Sequence, residues 1–238
     1  MKKVIGISNL ILMLALFAMD VVYIVIGGIT IKSITSTIFV LIGFINLVYA
    51  IKQKVNLKYP IMQFVGLVFA MLGDIILEVH FITGAVLFAI GHVMFFISYG
   101  MLEKFSYKDL IYGGVIFVPS LLFMVLAPFF EYGGVGMEIV CVIYALIISL
   151  MVGKAIANVA KNRSLLNIII MIGSIMFFLS DLMLLLNVFG GLPVVGIICL
   201  ALYYPAEFLL AFAIFIYAEK NADERKQTKN LENESEIK

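Results

Sequence analysis

Continuous apolar runs of roughly 20 residues, the length that crosses a bilayer, follow one another along almost the whole chain. Short charged or Gly/Pro-containing breaks separate them and predict eight membrane-spanning helices, at 4–26, 34–51, 61–79, 81–102, 109–128, 136–153, 165–188 and 193–218. No run alternates polar with apolar positions, which excludes an outer-membrane barrel, whose strands turn every second residue into a polar lumen. Met1 to Lys3 followed by an apolar stretch opens like a signal peptide, but the stretch is far longer than the roughly 7–15 residues of a cleavable apolar region and reads as the first span. After Ala218 the sequence turns to charged and amide residues that cannot bury an apolar face, predicting a disordered cytoplasmic tail over 219–238. The expected fold is therefore all-α, a polytopic bundle forming one domain over 1–218.

Composition rules out anything else of size. Of the 238 residues 64% are hydrophobic and 13% charged, whereas a soluble domain has about 45–50% and about 25%. The placement of charge says more than the net value of +1, which gives no field for nucleic acid. With the N-terminus in the cytoplasm, the basic residues of both termini and of the breaks near 52–58, 104–108 and 154–163 fall on the cytoplasmic side, and Lys32 alone falls outside. That asymmetry is the positive-inside rule for an even number of spans, and it places a multi-pass protein in the cytoplasmic membrane with both termini inside. Trp is absent, so Tyr must supply the interfacial belt; Tyr49, Tyr59, Tyr107, Tyr112, Tyr132 and Tyr217 lie near predicted helix ends, and Tyr144, Tyr203 and Tyr204 do not. Cys141 and Cys199, isolated in apolar runs, suggest neither a disulfide framework nor a metal cluster.

A repeat is visible. Gly66-Leu-Val-Phe-Ala-Met-Leu-Gly-Asp74 in the third span matches Gly173-Ser-Ile-Met-Phe-Phe-Leu-Ser-Asp181 in the seventh, with Gly and Asp at the same spacing. The offset is about half the chain and predicts two four-helix halves, 1–104 and 105–218, in parallel orientation because four is even.

Ionisable side chains at mid-helix cost about 2.5–3.5 kcal/mol each on insertion scales and are functional candidates for that reason. Six qualify: Asp20, Asp74, Glu78, His92, Asp181 and Glu207. At about 1.5 Å per residue they share a layer in the middle or outer half of the membrane, and Glu78 lies one turn beyond Asp74 on the same face. No Lys or Arg is expected in this layer, so His92 is the one available cation. Two carboxyls in such surroundings can divide into an acid and an ionised base, the arrangement that cleaves acetal-like bonds. His80 and His92 are too few for a three-His zinc site, leaving only a mixed His/carboxylate site open, and no cofactor is expected. Neither a Gly-x-Ser-x-Gly elbow nor a Gly-rich phosphate loop is present. The small residues Gly66, Ala70 and Gly73 suit close helix packing.

In Gly66 to Glu78, Gly91-His92, Ser180-Asp181-Leu182 and Tyr203-Tyr204-Pro-Ala-Glu207, the chain resembles the YhhN family, whose animal members are lysoplasmalogenases. The resemblance runs from the first span to the eighth, carried by the order and spacing of these segments together. It implies an eight-helix membrane hydrolase that cleaves the vinyl ether bond of a lysophospholipid, releasing a fatty aldehyde and glycerophospho-ethanolamine or glycerophospho-choline. It maps the family's paired Asp positions onto Asp74 and Asp181. His92, Tyr203, Tyr204 and Glu207 would orient the pair, and Asp20 and Glu78 would line the same cavity; Glu207 departs from the Gln of the family pattern.

Two other classes compete. Interhelical hydrogen bonds average only about 0.6 kcal/mol, too little for glue to offset several buried carboxyls. A proton-coupled transporter also uses parallel repeats and rows of Asp, Glu and His; against it, the polar spans lack broken segments, with Pro205 the one internal Pro. The basic rim favours head-group access from the cytoplasmic side.

Overall fold

Eight helices form where the apolar runs predict them: α1 (Lys2–Ile26), α2 (Ile29–Lys52), α3 (Lys58–Leu77), α4 (Phe81–Leu102), α5 (Tyr107–Leu126), α6 (Val135–Lys161), α7 (Leu165–Val188) and α8 (Val195–Glu236). All eight are long and apolar enough to span a membrane, and no strand occurs among the described residues. The computed structural model describes the backbone of residues 1–236 and the side chains of residues 1–228.

Three boundaries depart from expectation, each for a local reason. Helix α2 starts at Ile29 rather than 34 because Gly27 (φ 71°) and Gly28 (φ 94°) make the corner after α1 in a conformation that side chains resist. Lys32 is thereby carried inside the bundle. Helix α6 runs on to Lys161 because Lys154, fully buried, donates to the Asp109 carboxylate at 2.8 Å and to the Glu103 carbonyl at 2.8 Å. Asp109 also closes the capping box at the start of α5 and pairs with Lys161 at 3.0 Å, so one carboxylate ties α5 to α6. The segment after Ala218, expected to be disordered, continues α8 as helix through Glu236. There Glu219 pairs with Lys2 and accepts from Tyr49, Ala222 is buried, and Arg225 donates to the Lys54 carbonyl at 3.1 Å. Ile237 and Lys238, also within that expectation, lie outside the described residues.

Packing arranges six helices as a ring in the order α2, α3, α4, α6, α7, α8, with α3 and α8 also in contact across it. Helix α1 lies outside against α2 and α8, while α5 lies outside against α6 alone. The ring order is unchanged when α1–α4 are exchanged with α5–α8, as two parallel halves would have it; α1 and α5 break the exchange. Amides close the half of the ring nearer the termini: Asn9 and Asn46 donate to each other at 2.9 and 3.0 Å, and Gln63 bridges the Ser98 hydroxyl and the Leu210 carbonyl. Every buried amide thus met is a donor the lipid could not satisfy.

The closest helix approach is α5 on α6. A Cβ on Gly153 would lie 2.3 Å from the Gly113 nitrogen and 2.5 Å from its Cα, so backbone rather than a flexible side chain would have to move. Gly153→Ala is expected to cost roughly 1–3 kcal/mol of stability by overpacking, read as a lower Tm in detergent. Gly114→Ala, facing open space, is the control and should leave Tm unchanged or slightly raised.

Candidate active site

Each half of the ring places an aspartate near the non-cytoplasmic end expected from the charge count, and the two have different partners. Asp74, eight-tenths of the way along α3, is only 4% exposed. Its Oδ1 lies 3.1 Å from the Lys32 ammonium of α2, and its Oδ2 accepts from the Ser36 hydroxyl and, at 3.2 Å, from the Tyr204 hydroxyl of α8. Lys32, itself 5% exposed, also donates to Glu78 at 2.9 Å. Tyr23 of α1 donates to the same Glu78 oxygen at 2.7 Å and turns its ring to the ammonium, 5.6 Å from the centroid. A buried cation is thus shared by two carboxylates. This corrects the expectation that His92 is the one cation in the layer: Lys32 was assigned to the outer surface because its helix was started too late.

Asp181 of α7 has no lysine or arginine partner among the described residues. Its Oδ2 accepts from the Tyr144 hydroxyl of α6 at 2.5 Å and lies 3.4 Å from His92 Nε2 of α4. His92 Nε2 is in turn 2.8 Å from the Tyr144 oxygen, and with Tyr144 donating onward this nitrogen carries the proton. The three groups form a line from His92 through Tyr144 to Asp181. Ser180 is held by the Cys199 carbonyl of α8 at 2.9 Å.

Both aspartates, with Lys32, Glu78 and Tyr23, face one cavity of about 360 Å³. Phe88 and Tyr203 form part of its wall, meeting edge to face at 6.0 Å. Phe177 backs them, at 5.3 Å from Tyr203 and 4.7 Å from the His92 ring. Of the residues named from sequence, Asp74, Asp181, Glu78 and Tyr203 line this cavity, while Tyr204 and His92 reach it through Asp74 and Asp181. Asp20 and Glu207 do not line it. Asp20 is buried with Oδ1 unpartnered, and Glu207 is wholly buried with neither oxygen hydrogen-bonded. The expectations that Asp20 shares the cavity and that Glu207 orients the pair by hydrogen bonds are corrected: the α1 and α8 faces that carry them turn into helix contacts. The residues missed were Lys32, Ser36, Tyr23 and Tyr144. Tyr144 had left a signal, since it lies far from any helix end in a chain whose other tyrosines mostly sit at one.

The arrangement offers one carboxylate in an ion pair and one carboxyl supplied only by hydroxyl and imidazole, across a chamber large enough for a small polar group. Among the described residues no three His, Cys, Asp or Glu side chains gather as a metal site would require. The family model described as "YhhN family" matches residues 10–214. No curated protein and no solved structure matches the chain.

Glu78 lies one residue past α3. Burial pushes its carboxyl up, but hydrogen bonds from Lys32 and Tyr23 and the lysine charge outweigh this and hold it below the ordinary value of 4.5. A carboxylate lowered on folding adds stability above its unfolded value and loses it as pH falls through the folded one. The wild type should therefore lose Tm more steeply below about pH 4.5 than Glu78→Gln, compared by thermal unfolding from pH 7 down to 3; parallel curves would show that Glu78 is not held by Lys32.

Proposed function

This chain belongs to the YhhN family, and we propose that it is a lysoplasmalogenase-type hydrolase that cleaves the vinyl ether bond of a lysophospholipid by carboxyl acid/base catalysis, without a cofactor. The observation that carries the reading is the unequal pair: Asp74 against Lys32, and Asp181 against Tyr144 and His92, on one cavity. Family membership includes lysoplasmalogenases, and a vinyl ether needs only an acid and an anion.

Protonation of the β-carbon converts a vinyl ether to an oxocarbenium ion. Asp181, with no lysine to hold it ionised, gives that proton. Asp74, kept as carboxylate by Lys32, faces the cation that forms and takes a proton from the water that captures it, as paired carboxyls do in glycosidases. The hemiacetal then collapses: Asp74 returns its proton to the departing glycerol oxygen, and the hemiacetal hydroxyl proton goes to Asp181. Both groups end as they began, and the products are a fatty aldehyde and a glycerophospho-alcohol. The π faces of Phe88 and Tyr203 on the cavity wall add attraction for the cation. Tyr144 and His92 position Asp181, and Ser36 and Tyr204 position Asp74. The protein sits in the cytoplasmic membrane with both termini inside, which puts this chamber in the outer half of the bilayer; head-group access is then from that side rather than from the basic rim.

The test is aldehyde release by the purified protein in detergent, where no gradient exists to drive a carrier. Vinyl-ether lysolipid should give aldehyde and its ester analogue none. Asp74→Asn and Asp181→Asn should each lose roughly 10²–10⁴-fold in kcat, the scale of acid/base catalysis. A folded, monodisperse wild type that releases no aldehyde refutes the reading. Tyr144→Phe, which keeps the ring and removes the donor to Asp181, should shift the pH dependence of kcat while leaving KM within about twofold; a change in KM alone would make Tyr144 a packing residue.

A further inference from the structure

A second cavity opens beside the first, and its chemistry is the opposite. It is lined by Ala85 of α4, Met124 of α5, Cys141, Ala145 and Ile148 of α6, and Phe178 of α7. It shares Leu77, Phe81, Phe88, Leu184 and Asp181 with the polar chamber, so the two meet at the Asp181 carboxyl. A molecule occupying both would have a polar end near Lys32 and Glu78, a bond to be broken at the aspartates, and an apolar end among aliphatic and aromatic side chains.

The outer end of the apolar cavity is shut. Phe81 and Phe189 stack edge to face at 5.3 Å, Tyr132 packs on Phe189 at 5.3 Å, and the Glu131 amide donates to the Phe189 carbonyl at 2.8 Å, pinning the α5–α6 connection over the cavity. The side is not shut. Helix α5 packs on α6 alone, leaving its flanks towards α4 and α7 uncovered, although Met124 and Ser120 of α5 reach the cavity lining. In the other half α1 spans both α2 and α8, with Phe17 edge-on to Phe208 at 6.3 Å, and covers the corresponding flank. Around Asp74 the partners are a lysine, a serine and a tyrosine rather than an apolar wall.

The geometry points to the apolar cavity beside Asp181 as the seat of one hydrocarbon chain, threaded sideways from the bilayer past α5, and so to a substrate that carries a single long chain. The departure of α1 and α5 from the two-fold exchange is what makes the seat single: one flank is open and the other is filled. A second chain would have to enter beside Asp74, among charged and hydroxyl groups, at the cost of burying apolar surface against polar atoms. The inference builds on the hydrolase reading for what happens at Asp181, but the seat itself is a binding site and can be read without turnover.

The experiment uses the full-length protein in detergent and a single-chain lysophosphatidylethanolamine with a photoreactive diazirine at the end of its chain. Irradiation and peptide mapping should place the label on residues of the cavity such as Met124 or Phe178. Unlabelled single-chain lysolipid should displace it, and a diacyl phosphatidylethanolamine should compete at least roughly tenfold less well, since the second chain has no seat. Ala145→Phe and Cys141→Phe each fill the cavity and should cut labelling by about tenfold while the protein stays monodisperse; if one fails to fold, the other supplies the comparison. Label confined to α1 or α2, equal competition by the two-chain lipid, or wild-type labelling in a folded Phe variant each overturn the seat. Labelling as expected without aldehyde release would sink the hydrolase reading and leave the seat standing, while aldehyde release with the label elsewhere would do the reverse.

Discussion

The polar chamber depends on a lysine that should not be where it is. An ammonium group inside a bilayer-spanning bundle is costly to desolvate, and Lys32 is tolerated because two carboxylates and a tyrosine ring enclose it. The dependence is mutual. Without the ammonium, Asp74 and Glu78 would be a pair of like charges one helical turn apart, and Ser36 and Tyr204 alone would have to hold the aspartate. The cluster also draws α1, α2, α3 and α8 together at one end, through Tyr23, Lys32, Asp74 and Tyr204 respectively. Breaking such a set by removing one member leaves the others charged and unpaired, which is why its members act as a unit.

The second aspartate has a plainer setting, and the contrast is the chemistry. Asp181 is reached by a tyrosine and a histidine that carry no fixed charge, and on its far side the wall is aliphatic. Two side chains of the same type, on helices related by the same step along the chain, are given different tasks by the residue that faces each from the preceding helix: Ser36 and Lys32 in one half, Tyr144 in the other. A repeat that supplies two identical acids becomes useful once its surroundings diverge.

Much of this was legible in the sequence because the bilayer allows so few solutions. Helix count, order and most boundaries follow from runs long enough to span lipid, and the aspartates stood out because an acid in such a run is expensive. What could not be read was which side of a helix faces the chamber. Asp20 and Glu207 look as functional as Asp74 on hydropathy, yet the structure turns them into helix contacts. Lys32 was misplaced by a boundary, since two glycines with positive φ form a corner tighter than a polar break suggests. The charged end of α8 was misread for a related reason: its composition buries nothing apolar, but Glu219 and Arg225 anchor it through polar contacts to α1, α2 and the turn after α2.

That anchoring makes the chain nearly a closed loop. Lys2, at the start of the first helix, touches Glu219 of the last, while the connection of residues 103–106 between the expected halves lies at the same end of the bundle. A peptide bridging the ends of α1 and a shortened α8, with new termini opened at that connection, would leave every contact around the ring of six in place. Chain order and spatial order are therefore separable in this molecule: which half is made first is a fact about synthesis, not about the shape the two halves reach together.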